Sequence, residues 1–275
     1  MFRYSVPGTE DVISVSIEID EDRLDDYISF LQEDPKAVQF LEHQTPETCL
    51  AAVKVFGGML EFVTDQTPDL CMIAVQNFGD ALQFVKNPTP EMCLAAVKNS
   101  PAALRFVEDQ TPEMCMIAVN GWGHALEFVK HQTPEICRAA VSRDGYALMH
   151  VIHQTLEICL AAVSESGEAL EYVKQQTEEI CLAAVKNSWK AIRYAKFKTE
   201  AVCIAAVSQN SAALKYIPDV YPSVARALVE KHPEDALAIS SMLNKSTSDD
   251  VKQKDTQSST CAKEDSAEKT SLFGV

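Results

Sequence analysis

No run of this 275-residue chain approaches the roughly 18 consecutive apolar residues that a membrane-spanning helix needs, and Met1-Phe2-Arg3-Tyr4 opens no apolar signal-peptide region. A soluble protein of the cell interior is expected. Positive charge is scarce too: 24 Lys and Arg against 40 Asp and Glu give a formal charge of −16, which disfavours general nucleic-acid binding. The Gly-rich phosphate loop, the metalloprotease helix and the nucleophile elbow are all missing. The pattern therefore implies no enzyme, no cofactor and no resident metal.

Cysteine is abundant but arranged so as to exclude a disulfide framework. Cys49, Cys71, Cys93, Cys115, Cys137, Cys159, Cys181 and Cys203 recur every 22 residues, and the total of nine is odd. Equivalent positions of stacked helices lie about 10 Å apart, whereas a disulfide needs Cα atoms within roughly 7 Å. The thiols read as small buried apolar groups of a reducing compartment. No copy offers the paired short Cys/His spacing of a zinc site.

A fixed period with no insertion marks a repeat array. In eight copies spanning residues 45–220 a Thr precedes a helical pattern: Thr45, Thr67, Thr89, Thr111, Thr133, Thr155, Thr177 and Thr199. Thr caps orphan amides, Pro follows it at the first helical position in five copies, and an acid nearby complements the helix dipole. The first helix is expected to run about eleven residues to a Gly near its end, as at Gly57, Gly79, Gly123, Gly145 and Gly167. Cys137, Ala140 and Val141 share its buried face. A second, shorter helix carries Ala125, Leu126, Phe128 and Val129. The fold class expected is all-α, an α-solenoid of stacked helix-turn-helix repeats forming one body.

Units reading Gln-Thr-Pro-Glu-Ile-Cys, then Ala-Ala-Val, then Ala-Leu and Phe/Tyr-Val-Lys, resemble the 22-residue repeats of a domain family of unknown function. That family is abundant in giant DNA viruses of amoebae and is also found in amoeba-associated bacteria. The resemblance covers about residues 36–217 and implies a helical fold and a viral or intracellular-parasite origin, with host cytoplasm as the compartment. It transfers no catalytic residue.

The ends differ from the array. Residues 1–21 form an extended segment in which Ile13, Val15, Ile17 and Ile19 alternate with polar residues. Such a strand pairs either across the Pro7-Gly8 turn, or with a second copy in a homodimer through residues 1–20, or with another partner. Residues 22–44 read as an amino-terminal capping repeat, 221–243 as carboxy-terminal capping helices, and 244–275 as a disordered tail rich in Ser, Thr, Lys and Asp. The terminal Phe273-Gly274-Val275 reads as a plain tail end, with a recognition peptide as the alternative.

Most conspicuous columns have a structural reading. Glu91, Glu113 and Glu135 sit inside helix amino-termini, and Gln44, Gln66, Gln110, Gln132, Gln154 and Gln176 suit hydrogen bonding between repeats. His131 and His153 share a column in adjacent repeats, about one helix spacing apart and too far to share a metal unless they lean together, and His150 and His153 are read as sharing one short helix. Departure from the repeat pattern is concentrated in the fifth copy and its surroundings: Trp122, His124, Arg138, Arg143, Tyr146, Met149, His150 and His153. Arg, Trp, Tyr and Met together are types enriched in protein-binding hot spots, and drift in a tolerant repeat is the competing account. A protein-binding scaffold is the leading function. Single-stranded RNA binding is the alternative, through a basic patch of Lys186, Lys190, Arg193, Lys196 and Lys198.

Overall fold

A computed structural model describes residues 3–5, 12–14, 36, 39, 44–218 and 220–235. It divides into two compact units, Met1–Lys174 and Gln175–Val275. Apart from Lys36 and Gln39, the expectations for residues 22–43 and 236–275 lie outside the described residues, and so does the strand pattern beyond Ser14. Strands β1 (Arg3–Ser5) and β2 (Val12–Ser14) pair antiparallel, with Tyr4 opposite Ile13. Of the pairings open to this segment, one with the residues that precede it is found, while Pro7 and Gly8 lie outside the described residues.

Among the described residues of the first unit six ten-residue α-helices follow at the 22-residue period. They are α1 (Pro46–Val55), α2 (Pro68–Asn77), α3 (Pro90–Asn99), α4 (Pro112–Gly121), α5 (Pro134–Arg143) and α6 (Leu156–Glu165). The second unit holds α7 (Glu178–Asn187), α8 (Glu200–Gln209) and α9 (Pro222–Lys231). From α1 to α7 the preceding Thr side chain accepts the amide three residues on, as Thr133 does from Ile136 at 3.4 Å. Thr199 instead donates its hydroxyl to Glu178 at 2.8 Å and leaves α8 without a side-chain cap.

The second helix of each repeat is a 3-10 helix. In the first unit these are η1 (Gly57–Phe62), η2 (Gly79–Phe84), η3 (Pro101–Phe106), η4 (Gly123–Phe128), η5 (Gly145–His150) and η6 (Gly167–Tyr172). The second unit has η7 (Trp189–Arg193), η8 (Ser211–Tyr216) and η9 (Pro233–Asp235). Six residues are too few to repay α-helix nucleation, whereas 3-10 bonds close over three residues and suit short pieces.

Glycine's place differs from the expectation. From α1 to α8 the helix ends on a residue in extended conformation, such as Asp144 with φ −154° and ψ 112°, and where the column holds Gly it opens the following 3-10 helix. The reason is steric. A Cβ on Gly145 would lie 2.5 Å from the Ala162 carbonyl oxygen and 3.0 Å from the Ser166 amide nitrogen of the next repeat. Small size, not a left-handed backbone, is what the position needs.

Two polar clamps tie neighbouring repeats. Gln132 Nε2 donates to the His150 carbonyl at 2.9 Å while its Oε1 accepts the Ile152 amide at 3.0 Å and the Cys137 thiol at 3.5 Å. Gln44, Gln66, Gln110, Gln154 and Gln176 repeat the bond to a carbonyl eighteen residues ahead. The second clamp is unannounced by the motif: Asn77 Oδ1 accepts the Gly57 amide at 2.9 Å and its Nδ2 donates to the Lys54 carbonyl at 3.1 Å. Asn99 serves Gly79 likewise, at 2.7 Å. Where Pro101 removes the amide, Gly121 replaces the Asn, and a Cβ there would meet Pro101 Cγ at 2.8 Å. A missing donor and the space for its ring are thus matched across one interface.

The core runs along each unit as columns. Ala52, Ala74, Ala96, Ala118, Ala140 and Ala162 with the following Val are fully buried, faced by Leu60, Leu104, Leu126, Leu148 and Leu170 from the 3-10 helices. The result in each unit is an all-α array of α/3-10 pairs packed on their sequence neighbours, the α-solenoid class.

Candidate functional site

The repeat chemistry is scaffold. All eight repeat cysteines are buried and free. Burial is the main cause that pushes the Cys49, Cys71, Cys93, Cys115, Cys137, Cys159 and Cys203 thiols above their ordinary value of 9.0, so they are poor nucleophiles and poor ligands at neutral pH. Backbone amides at the helix start, and then the Thr hydroxyl, hold Glu91 and Glu135 below the ordinary carboxylate value. That is the helix-end role expected of them.

The atypical residues of the fifth copy are brought together only in part. Trp122 leads into η4, its ring 6.0 Å from His124 and 6.2 Å from Phe128. His124 meets His150 edge-to-face at 5.2 Å, with Nδ1 of the first 3.0 Å from Nε2 of the second. The other nitrogen of His124, Nε2, faces Asp144 Oδ2 at 3.2 Å. Asp144 is itself fixed, because its Oδ1 accepts the Tyr146 amide at 2.9 Å. Tyr146 packs on Tyr172 at 6.2 Å.

Arg138 stands apart on α5 and pairs with Glu157 of α6 at 3.4 Å, both side chains well exposed. Such a pair contributes little to stability. Arg143 is exposed at the end of α5. His153 does not share a helix with His150: η5 stops at His150 because Val151 turns extended, at φ −73° and ψ 119°. His131 and His153 are exposed in the loops. Asp144, Phe128 and Tyr172 belong to the cluster yet were not singled out in the sequence, since two of them are ordinary members of the aromatic column.

His150 gives the cluster a pH dependence. Burial lowers its proton affinity below the ordinary value of 6.5, Glu127 opposes that, and His124 reinforces it. The folded-state pKa thus lies below the unfolded one, so the unfolded chain binds the proton more readily. Stability present above the unfolded value is lost as pH falls through and below it. Thermal midpoints are expected to drop between about pH 7 and pH 5, with a shallower drop in His150→Phe. Identical slopes in the two proteins would remove His150 from the account.

Grooves between repeat loops lie along the first unit. One of about 370 Å³ is lined by Gln66, Lys86 and Met92, and a larger one of about 650 Å³ by Pro88, Cys93, Glu108 and Asp109. The larger occurs where Pro88 replaces the clamping Gln. In the second unit the basic residues Lys186, Lys190, Arg193 and Lys196 are exposed and Lys198 is half-buried. Arg193 covers the Tyr194 ring at 4.8 Å and Lys215 the Tyr216 ring at 4.7 Å. His232, Glu234 and Asp235 crowd one turn, where Asp235 Oδ2 accepts the Ser211 hydroxyl at 2.5 Å.

These features define an all-α repeat protein in which a Thr-capped α-helix and a 3-10 helix alternate every 22 residues. Residues 155–200, which run from the Thr155 cap to the first residue of α8, match a domain of unknown function, DUF4116. No curated protein and no solved structure matches the chain. Among the described residues no helix is long and apolar enough to cross a membrane.

Proposed function

We propose that the protein is a non-enzymatic repeat scaffold that binds another protein through the exposed edge of its fifth repeat. The observation that carries this reading is apolar surface where other copies are polar. Met149 is 50% and Ile152 57% exposed. Their columns hold Glu61, Gln83, Arg105, Glu127 and Glu171, and Thr64, Lys86, Glu108, Lys130 and Lys174. Tyr146 precedes Met149 by three residues, so the 3-10 period sets the two side chains one above the other. Trp122 and Leu156 add exposed apolar area in neighbouring repeats. The likeness to repeats of amoebal giant viruses supports a viral protein acting in the host cytoplasm.

The test is affinity capture from host lysate with the intact protein and with Arg138, Tyr146 and Met149 all changed to Ala. Removal of a hot-spot residue costs about 2 kcal/mol or more, so capture is expected to fall by at least tenfold. Equal capture by the variant would sink the proposed surface. A second reading, single-stranded RNA binding, is favoured by Phe197, which is 45% exposed between Lys196 and Lys198. Stacking on an aromatic ring amid basic side chains is how unpaired bases are held. Absence of binding to mixed-sequence RNA at low salt removes it.

A further inference from the structure

Nothing in the repeat pattern calls for histidine at positions 124 and 150. Other copies carry Gly58, Asp80, Ala102, Tyr146, Glu168, Lys190 or Ala212 at the first, and Phe or Tyr throughout at the second. The two rings meet because η4 packs against η5, with His124 near the start of one and His150 at the end of the other. Their facing nitrogens are 3.0 Å apart. Two nitrogens bound to one tetrahedral ion at about 2.0–2.1 Å stand about 3.3 Å from each other. The pair is therefore held close to chelating distance by the scaffold itself.

The far side of His124 supplies a second, independent observation. Its Nε2 faces Asp144 Oδ2 at 3.2 Å, and Asp144 is anchored by the Tyr146 amide. A carboxylate on the distal N–H of an imidazole sets the tautomer, orients the ring and raises its basicity, as in carboxylate–histidine–metal arrangements. With the proton on Nε2, the lone pair of His124 Nδ1 points toward His150. Glu127 follows His124 by three residues, one 3-10 turn, and its charge acts on His150.

We propose that His124 Nδ1 and His150 Nε2 form a binding site for a divalent cation of the zinc, nickel and copper class, with Asp144 orienting His124. Imidazole nitrogen suits these ions, and water completes the coordination. On binding, His150 carries its proton on Nδ1 instead of Nε2, both facing nitrogens donate lone pairs, and no electron is transferred.

Nickel chloride titrated into the full chain at pH 7.5 tests this, read by calorimetry and by quenching of Trp122, whose ring is 6.0 Å from His124. One ion per chain and a quenched Trp122 are expected. His124→Ala and His150→Phe each install a residue native to other copies, so the fold is retained and checked by circular dichroism. Each is expected to weaken binding at least tenfold. Asp144→Asn keeps the backbone cap, as Asn210 caps the Ala212 amide at 2.8 Å, and loses the carboxylate. About tenfold weaker binding is expected from that change alone. The His232, Glu234 and Asp235 turn is untouched by all three variants, so any nickel held there persists in them and is subtracted as common background. Equal affinity in the intact protein and both histidine variants, or no nickel binding at all, overturns the site; equal affinity in Asp144→Asn overturns the orienting role.

Discussion

Leu148→Ala is expected to destabilise the Met1–Lys174 unit by about 2–5 kcal/mol, the range for a buried leucine whose cavity cannot collapse. Leu148 is fully buried, and η5, which carries it, packs on α5, α6, η4 and η6 at once. Relaxation of any one neighbour is limited by the identical columns on either side, where Leu126 and Leu170 are also fully buried. In a repeat array stability is nearly a sum of repeat and nearest-neighbour terms, so the loss should be local as well as large. Urea denaturation followed by circular dichroism measures its size, and amide exchange across residues 123–172 its location. A change under 1 kcal/mol, or one spread evenly along the chain, would contradict this packing.

Gly145→Val should act through a different contact, at a cost of about 1–3 kcal/mol or more. The obstruction is backbone: the Ala162 carbonyl at 2.5 Å, with Ser166 Cβ at 2.8 Å, so no rotamer change relieves it. The same column holds Pro101, Trp189 and Ser211 elsewhere, which a view of Gly as helix terminator leaves unexplained. Sterically, each interface has its own solution, as Gly121 does for the ring of Pro101. The discriminating comparison is Gly145→Ala beside Gly145→Val. The Cβ that meets this backbone is already present in alanine, so both variants are expected to lower the midpoint, valine at least as much as alanine, and a Gly145→Ala midpoint equal to that of the unchanged protein would reject the steric reading.

How far the candidate site was legible depends on which neighbours it needed. Trp122, His124, Tyr146, Met149 and His150 stood out because a 22-residue ruler makes each departure visible. Their grouping did not, since His124 and His150 are 26 residues apart and meet only through the stacking of successive 3-10 helices. Asp144 was missed for a related reason. Its column contains Phe, Ser, Trp and Asn, so an acid there looks like ordinary surface variation until its carboxylate is seen against His124.

Sequence by itself determined the period, the Thr caps with their Pro, the buried Cys-Ala-Ala-Val face and the Gln clamp, because each depends on contacts within a repeat or at one constant offset. Only the tertiary structure decided that the second helix is 3-10, that Gly serves close approach, that Asn77 and Asn99 form a second clamp, and that two histidines meet within hydrogen-bond distance beside an aspartate. Those features are set by the distance between neighbouring repeats, a quantity that packing fixes and that a linear pattern of residue types does not contain.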